Sequence, residues 1–248
     1  MIRRKNLVWS GLALLAIWQA LSWLVHQPIL PGPVEVAEAF WLELVHGDLL
    51  AHFAASLWRV VASTALSILV AVPAGLVMGQ SRRVNVIFSP VVYLTYPVPK
   101  VVLVPVVLLF FGIGDLAKII IIFLVLFFQI LVLVRDQAAA LRPELIQSVR
   151  SLGAGRRALF RFVYLPACAP AILTALRQSV GTAVAVLYVT ESFATRLGLG
   201  YYISLNATTL ANYPAMYAGI VAMGLMGLGM YFGVDALEKR IAPWNRGN

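Results

Sequence analysis

Two cations in this chain stand where water should be scarce. Lys100 lies in YLTYPVPKVVLVP and Arg177 in LPACAPAILTALRQSVG, each within a long apolar stretch. A cation at membrane depth is costly, and it commonly marks a path for an ion or polar solute. The chemistry offered is attraction of an anion, not bond making. The ten Asp and Glu residues are dispersed, and only Asp115 and Glu191 approach the ends of apolar runs. No acid/base pair is indicated, so no catalytic residue is expected. His26, His46 and His52 share one stretch without metal-ligand spacing, and Cys168 is the single cysteine. That excludes an internal disulfide and argues against a metal site. The pattern G-x-x-x-x-G-K-[ST] is absent, so the chain is not expected to hydrolyse ATP or to bind a cofactor itself.

These cations are set in a membrane protein. Hydrophobic residues are 61% of the 248 and charged residues 12%, about half the charged share of a soluble domain. The basic residues behind the net charge of +9 cluster between apolar runs, so no nucleic-acid partner is expected. A helical span needs about 20 apolar residues. The stretches Leu7–Val25, Ser56–Gly79, Val84–Phe111, Leu116–Val134, Ala167–Thr190 and Tyr213–Leu237 qualify. The first is too long for a signal-peptide core and lacks a clear cleavage site, so it reads as a retained anchor. With six spans, Arg3, Arg4, Lys5, Arg82, Arg83, Arg135, the arginines between 142 and 161, Lys239, Arg240 and Arg246 share one side. The opposite loops receive only Lys118 and Arg196. The positive-inside rule then places both termini in the cytoplasm. The expected fold class is an all-α membrane protein with six transmembrane helices.

The third span is unlike the others. Pro90, Pro97, Pro99 and Pro105 interrupt it, and Tyr96 and Lys100 sit in the break. Broken backbone at membrane depth survives where it is buried in protein or lines a wet cavity. A translocation path fits, and so does a kinked packing helix with a snorkelling lysine. Arg177 lies ten residues past Ala167, about 15 Å into the span. It fits either a path or a structural role on carbonyls freed by the broken span. No acid is expected at a similar depth. Arg59 is expected to snorkel from the outer end of its span. Glu191 closes the fifth span on the outer side, about 21 Å from Arg177 along the helix. Tyr96, Lys100, Arg177 and Glu191 are the candidate path residues.

Outside the spans, Val34, Ala37, Trp41, Leu44 and Val45 form an apolar stripe. It fits a helix lying on the outer membrane surface or an ordinary packed connector. Gly75-x-x-x-Gly79 and the glycines of the last span have the spacing of close helix approach. The external loop 192–212 carries LGLGYYI, where Gly198 and Gly200 permit tight turns. It reads as a gate, a partner surface or a plain reversal.

The stretch from Arg142 to Pro166, RPELIQSVRSLGAGRRALFRFVYLP, stands between two spans and is punctuated as a short helix. Pro143 suits the first helical position and Glu144 the positive end of the dipole. Leu145, Ile146, Val149 and Leu152 share a face. Gly153 suits the left-handed position past the end. A helix of about ten residues is marginal alone, so it should be stable only when docked.

Gly153, nine residues, then Val163-x-Leu165-Pro166 resembles the cytoplasmic EAA loop of permease subunits of binding-protein-dependent ABC importers. The family's E-A-A positions are held here by Gln147, Ser148 and Val149, so Gln stands for the acid. YPVPKVVLVPVVLLFFGIGDLAKI, ELIQSVRSLGAGRR, LPACAPAILTALRQSVG and GLGYYI are similar to the nitrate, sulfonate and taurine subfamily. The resemblance covers the chain from about Leu30 onward. It implies a type I ABC importer permease in a bacterial cytoplasmic (inner) membrane. The implied partners are an ABC ATPase dimer that binds ATP and Mg, a second permease subunit as a homodimer, and a periplasmic or surface-tethered solute-binding protein. Glu144, Leu145, Gln147, Val149, Arg150, Leu152, Gly153 and Ala154 would form the coupling helix that docks on the ATPase.

The expected organisation is an anchor and external segment over 1–55, a core permease over 56–240 with its coupling helix at about 143–153, and a tail over 241–248. The solute is expected to be small, polar and anionic, sulfonate-, nitrate- or taurine-like. Similar permeases carry thiamine-precursor pyrimidines or flavins, which stays open. An ATPase-independent secondary transporter would leave the punctuated helix unexplained and would commonly show internal repeats.

Overall fold

The computed structural model describes residues 4–193 and 195–241. The expected tail lies outside these residues apart from Ile241, as do Arg3 and Arg246. Among the described residues all regular structure is helical. In chain order the elements are α1 (Arg4–Val25), α2 (Pro33–Val45), α3 (Leu49–Gln80), α4 (Arg82–Thr95), a 3₁₀ turn (Lys100–Leu103), α5 (Val104–Phe111) and α6 (Asp115–Ala139). They continue with α7 (Pro143–Ser151), α8 (Arg156–Leu159), a π turn (Phe160–Tyr164), α9 (Leu165–Ser192), α10 (Leu199–Thr208) and α11 (Tyr213–Ile241).

Five stretches are long and apolar enough to cross a membrane unbroken: Val8–Val25, Leu49–Gln80, Asp115–Ala139, Arg156–Ser192 and Tyr213–Ile241. The sixth expected span is a bent pair, Arg82–Thr95 and Lys100–Phe111, with 78° between its halves. The prolines explain the break. Pro97 and Pro99 bring no N–H, and each disfavours helical backbone at the residue before it. The helix restarts at Lys100, and Pro105 sits in the first turn of α5, where a missing N–H costs nothing. The fifth span starts earlier than the apolar run alone indicates. Pro166 cannot donate to the carbonyl four residues back, and the wider π turn just before it accommodates that loss.

The chain forms two compact units. One takes the residues up to Ser56 together with Glu191–Leu225; the other takes Leu57–Thr190 and the residues from Met226. In the first, Trp18 Nε1 donates to Pro31 O at 3.1 Å and Ser22 Oγ to Leu30 O at 2.9 Å, fastening α1 beside the turn that starts α2. Val34, Trp41 and Val45 of the α2 stripe are exposed. In the second unit α3 and α6 pack backbone to backbone. A Cβ at Gly75 would lie 2.8 Å from Leu131 O, and one at Gly79 would lie 2.6 Å from Arg135 O. The Gly75/Gly79 spacing therefore does serve close approach. Gly224, Gly229 and Gly233 of α11 have nothing within 4 Å of such a Cβ.

Two expectations about charge need correction. Arg59 does not snorkel: it is 3% exposed, with Nε at 2.9 Å and Nη2 at 2.7 Å from Asp115 Oδ1. Helix α3 begins at Leu49, so Arg59 sits in its third turn and not at its end. Lys118 is not a loop residue. It lies in the first turns of α6, buried, and its Nζ donates to Ile113 O at 2.7 Å and Gly114 O at 3.2 Å. Both cations are consumed in holding the α5–α6 corner.

Candidate functional site

The break in the bent pair opens a cavity of about 470 Å³. Tyr96, Pro97, Pro99 and Lys100 line one wall; Phe128 and Gln129 of α6 and Thr182 of α9 line the others. Lys100 Nζ donates to Thr95 O at 2.7 Å and Tyr96 O at 2.6 Å, the last carbonyls of α4. It also stands 4.6 Å from the centre of the Phe128 ring, a favourable placement for a cation. An ammonium has three donors. Two are spent on the broken helix, so the charge is fixed in place with one N–H left to give. Lys100 thus caps the broken helix and lines the cavity at once. The structure brings the expected Tyr96 and Lys100 together. Gln129 and Thr182, which add polar groups opposite the lysine, were not read from the sequence. The available signal was Gln129 as the only amide in the apolar run of α6.

Arg177 and Glu191 are not among the residues lining this cavity. Arg177 pairs with Glu238, and its Nη2 lies 3.5 Å from Asp235 Oδ1. The expectation of no acid at its depth is overturned. Counting from Ala167 ignored that the helical rod begins at Arg156, and α11 continues to Ile241, carrying Asp235 and Glu238 alongside Arg177. The charge of Arg177 is answered within the chain.

Glu191 is fully buried. It accepts hydrogen bonds from Ser56 Oγ at 2.8 and 2.9 Å and from Gly200 N–H at 2.9 Å. Ser56 Oγ accepts from Leu199 N–H at 2.8 Å, and His52 Nδ1 from Gly198 N–H at 2.9 Å. The first free amides of α10 are thereby satisfied. The expected loop is a helix here. Gly198 makes the turn, at φ +131°, a conformation open to glycine almost alone, while Gly200 is helical and buried. Burial foremost, then the Glu43 carboxylate, holds the Tyr202 phenol above its usual pKa, so it stays neutral. Glu191→Ala leaves a hydroxyl and an amide without an acceptor. Each costs about 1–3 kcal/mol. The expected result is a thermal midpoint lowered by about 5–10 °C with Glu191→Gln intermediate, read by scanning fluorimetry. An unchanged midpoint in the alanine variant would show the clamp to be idle.

The helix α7 is built as its punctuation indicates. Pro143 opens it, Glu144 is in its first turn and Arg150 in its last. Gly153 closes it at φ +83°, its N–H bonded to Arg150 O at 2.9 Å, and Ala154 N–H reaches Val149 O at 3.4 Å. No residue of α7 is buried. Leu145 is exposed and Leu152, just past the end, is 86% exposed. Gln147 is exposed, and Ile146 and Val149 are half-buried. An apolar edge is left without a partner on a helix of two and a half turns.

This geometry can be set beside known proteins. The family model described as "Binding-protein-dependent transport system inner membrane component" matches residues 67–244. The taurine transport system permease protein TauC of Escherichia coli (strain K12) is 30% identical over 94% of this chain and 86% of its own length. A putative aliphatic sulfonates transport permease protein of Bacillus subtilis (strain 168) is 28% identical over 97% and 90%. The formylaminopyrimidine transport permease protein ThiX of Halalkalibacterium halodurans is 28% identical over 95% and 94%. Among solved structures, an inward-facing MetNI methionine ABC transporter chain superposes with a TM-score of 0.69 at 18% identity, covering 81% of this chain and 99% of that one. The all-helical spans, the bent pair and the extended match lead to one conclusion: the chain belongs to the family of binding-protein-dependent transport system inner membrane components and is a permease subunit of an ABC importer.

Proposed function

We propose that this permease imports a small organic anion of the sulfonate type. The observation that carries the reading is Lys100, held by two carbonyls in the cavity at the bend with one donor to spare. Gln129 and Thr182 supply neutral hydrogen-bond partners for sulfonate oxygens, and Tyr96 and Phe128 supply apolar surface for a short carbon chain. The taurine and sulfonate permeases among the relatives support this solute class. A formylaminopyrimidine-like solute is a second reading, favoured by the ThiX relative and by the aromatic rings at the cavity wall.

The chain works as a homodimer in a bacterial inner membrane, both termini inside. An ABC ATPase dimer binds ATP and Mg and docks on α7. An external binding protein, periplasmic or surface-tethered, delivers solute. Glu144, Leu145, Gln147, Val149, Arg150, Leu152, Gly153 and Ala154 make the ATPase contact, with Gln147 offering an amide where the family's acid stands. Arg177 and Glu191 act here as structural residues. The test is uptake by the assembled importer in proteoliposomes with labelled taurine, an alkylsulfonate and formylaminopyrimidine. Uptake of the sulfonates is expected. Uptake of the pyrimidine alone moves the assignment to the second reading.

A further inference from the structure

A second cavity, of about 750 Å³, lies where α3 turns into α4 beside α7 and α8. Arg82, Arg83, Arg150 and Arg156 line it, and no acidic residue does. None of the four makes an ion pair among the described residues. Gln80 also lines it, and its Nε2 is buried without a hydrogen-bond partner. Ser81, which caps α4, adds a hydroxyl. The chamber is therefore rich in donors and positive charge, and among the described residues no acid answers them. A buried donor of this kind is costly unless something occupies the site.

An apolar groove adjoins this chamber. The groove, of about 480 Å³, shares Val77 and Val84 with it and continues past Phe88, Phe127 and Leu131. No charged residue lines this groove. A free phosphate or a carboxylate from another protein would satisfy the first chamber and leave the second empty. An amphiphile satisfies both. Basic pockets between membrane helices on the cytoplasmic side suit anionic headgroups, and the arginine-rich loops are expected on that side.

We propose that the two chambers form one site for an anionic phospholipid of the cytoplasmic leaflet, with its phosphate among Arg82, Arg83, Arg150 and Arg156 and an acyl chain in the groove beyond Val77 and Val84. Because Arg150 belongs to α7, a headgroup held there ties the docking helix to the start of α4. The lipid sets the seating of α7, and the surrounding bilayer composition regulates ATPase docking.

The test is native mass spectrometry of the assembled importer, permease with its ATPase, exposed to equal amounts of phosphatidylglycerol and phosphatidylethanolamine. Wild type should retain phosphatidylglycerol in clear excess. The pair Arg82→Gln and Arg83→Gln should lower that excess by about 25-fold, some fivefold for each charge removed. Val84→Trp keeps every arginine and fills the joint between the chambers, and it should lose the lipid too. Three results overturn the proposal: no phosphatidylglycerol excess in wild type; retention unaffected by either change; or inorganic phosphate held equally by wild type and Val84→Trp, which marks a site for free anions. Solute uptake is measured separately, so failure here leaves the solute assignment standing.

Discussion

Leu152→Arg is expected to abolish co-purification of the ATPase with this permease while leaving the permease itself folded. The side chain is 86% exposed, so the substitution disturbs no packing within the chain. Leu152 terminates the apolar edge of α7, and Gly153 turns the chain away directly after it. A leucine that buries on docking contributes about 2 kcal/mol. An arginine in the same contact also has to be desolvated, and hot spots of this kind exceed 2 kcal/mol. Affinity should fall at least 30-fold, enough to lose the complex during purification. The measurement is the ATPase-to-permease ratio after affinity capture, alongside the thermal midpoint of the permease. If the ratio holds at the wild-type value, α7 is not the docking element.

Lys100→Ala should lower sulfonate uptake by at least tenfold without changing the ATPase ratio. A charge-assisted hydrogen bond to an anion exceeds a neutral one by a factor of about two in energy, and its loss is felt wherever solute passes the bend. The same substitution uncaps Thr95 O and Tyr96 O, so a stability control is needed. Lys100→Arg retains the charge and the capacity to cap, and should recover part of the uptake if charge is what matters. Uptake that is unchanged in the alanine variant removes Lys100 from the path.

Much of this architecture was open to sequence reading, for specific reasons. The spans were legible because a bilayer imposes length and apolarity on every crossing helix. Helix α7 was legible because Pro143 and Gly153 bracket it with residues whose backbone preferences are strong. Pairing across the chain was not. Nothing local to Arg177 announces Glu238, because the two meet only once α9 and α11 are laid side by side. Arg59 was misplaced for a related reason: the span was read as starting at Ser56, with His52 and the residues around it left before it, whereas the helix starts at Leu49. His52 and Ser56 belong to the helix itself, turned toward α10. In LGLGYYI two glycines resembled turn residues, yet only Gly198 has a positive φ. In the cavity at the bend, Lys100 was visible because a charge in an apolar run is conspicuous. Thr182 was not, since a hydroxyl in a helix often satisfies itself on its own backbone.

The glycine contact between α3 and α6 has a mechanical consequence. Where Gly75 and Gly79 touch carbonyls of α6 directly, no side chain stands between the helices to yield. Close-packed interiors shift between discrete arrangements and do not stretch, so these two helices behave as one girder. Flexure during a transport cycle has to come from elsewhere in that unit. One joint in that unit is the proline break between α4 and α5, bridged by the ammonium of Lys100. On the proposed path an arriving anion would compete for that ammonium, and one residue would serve both as the bait and as the latch.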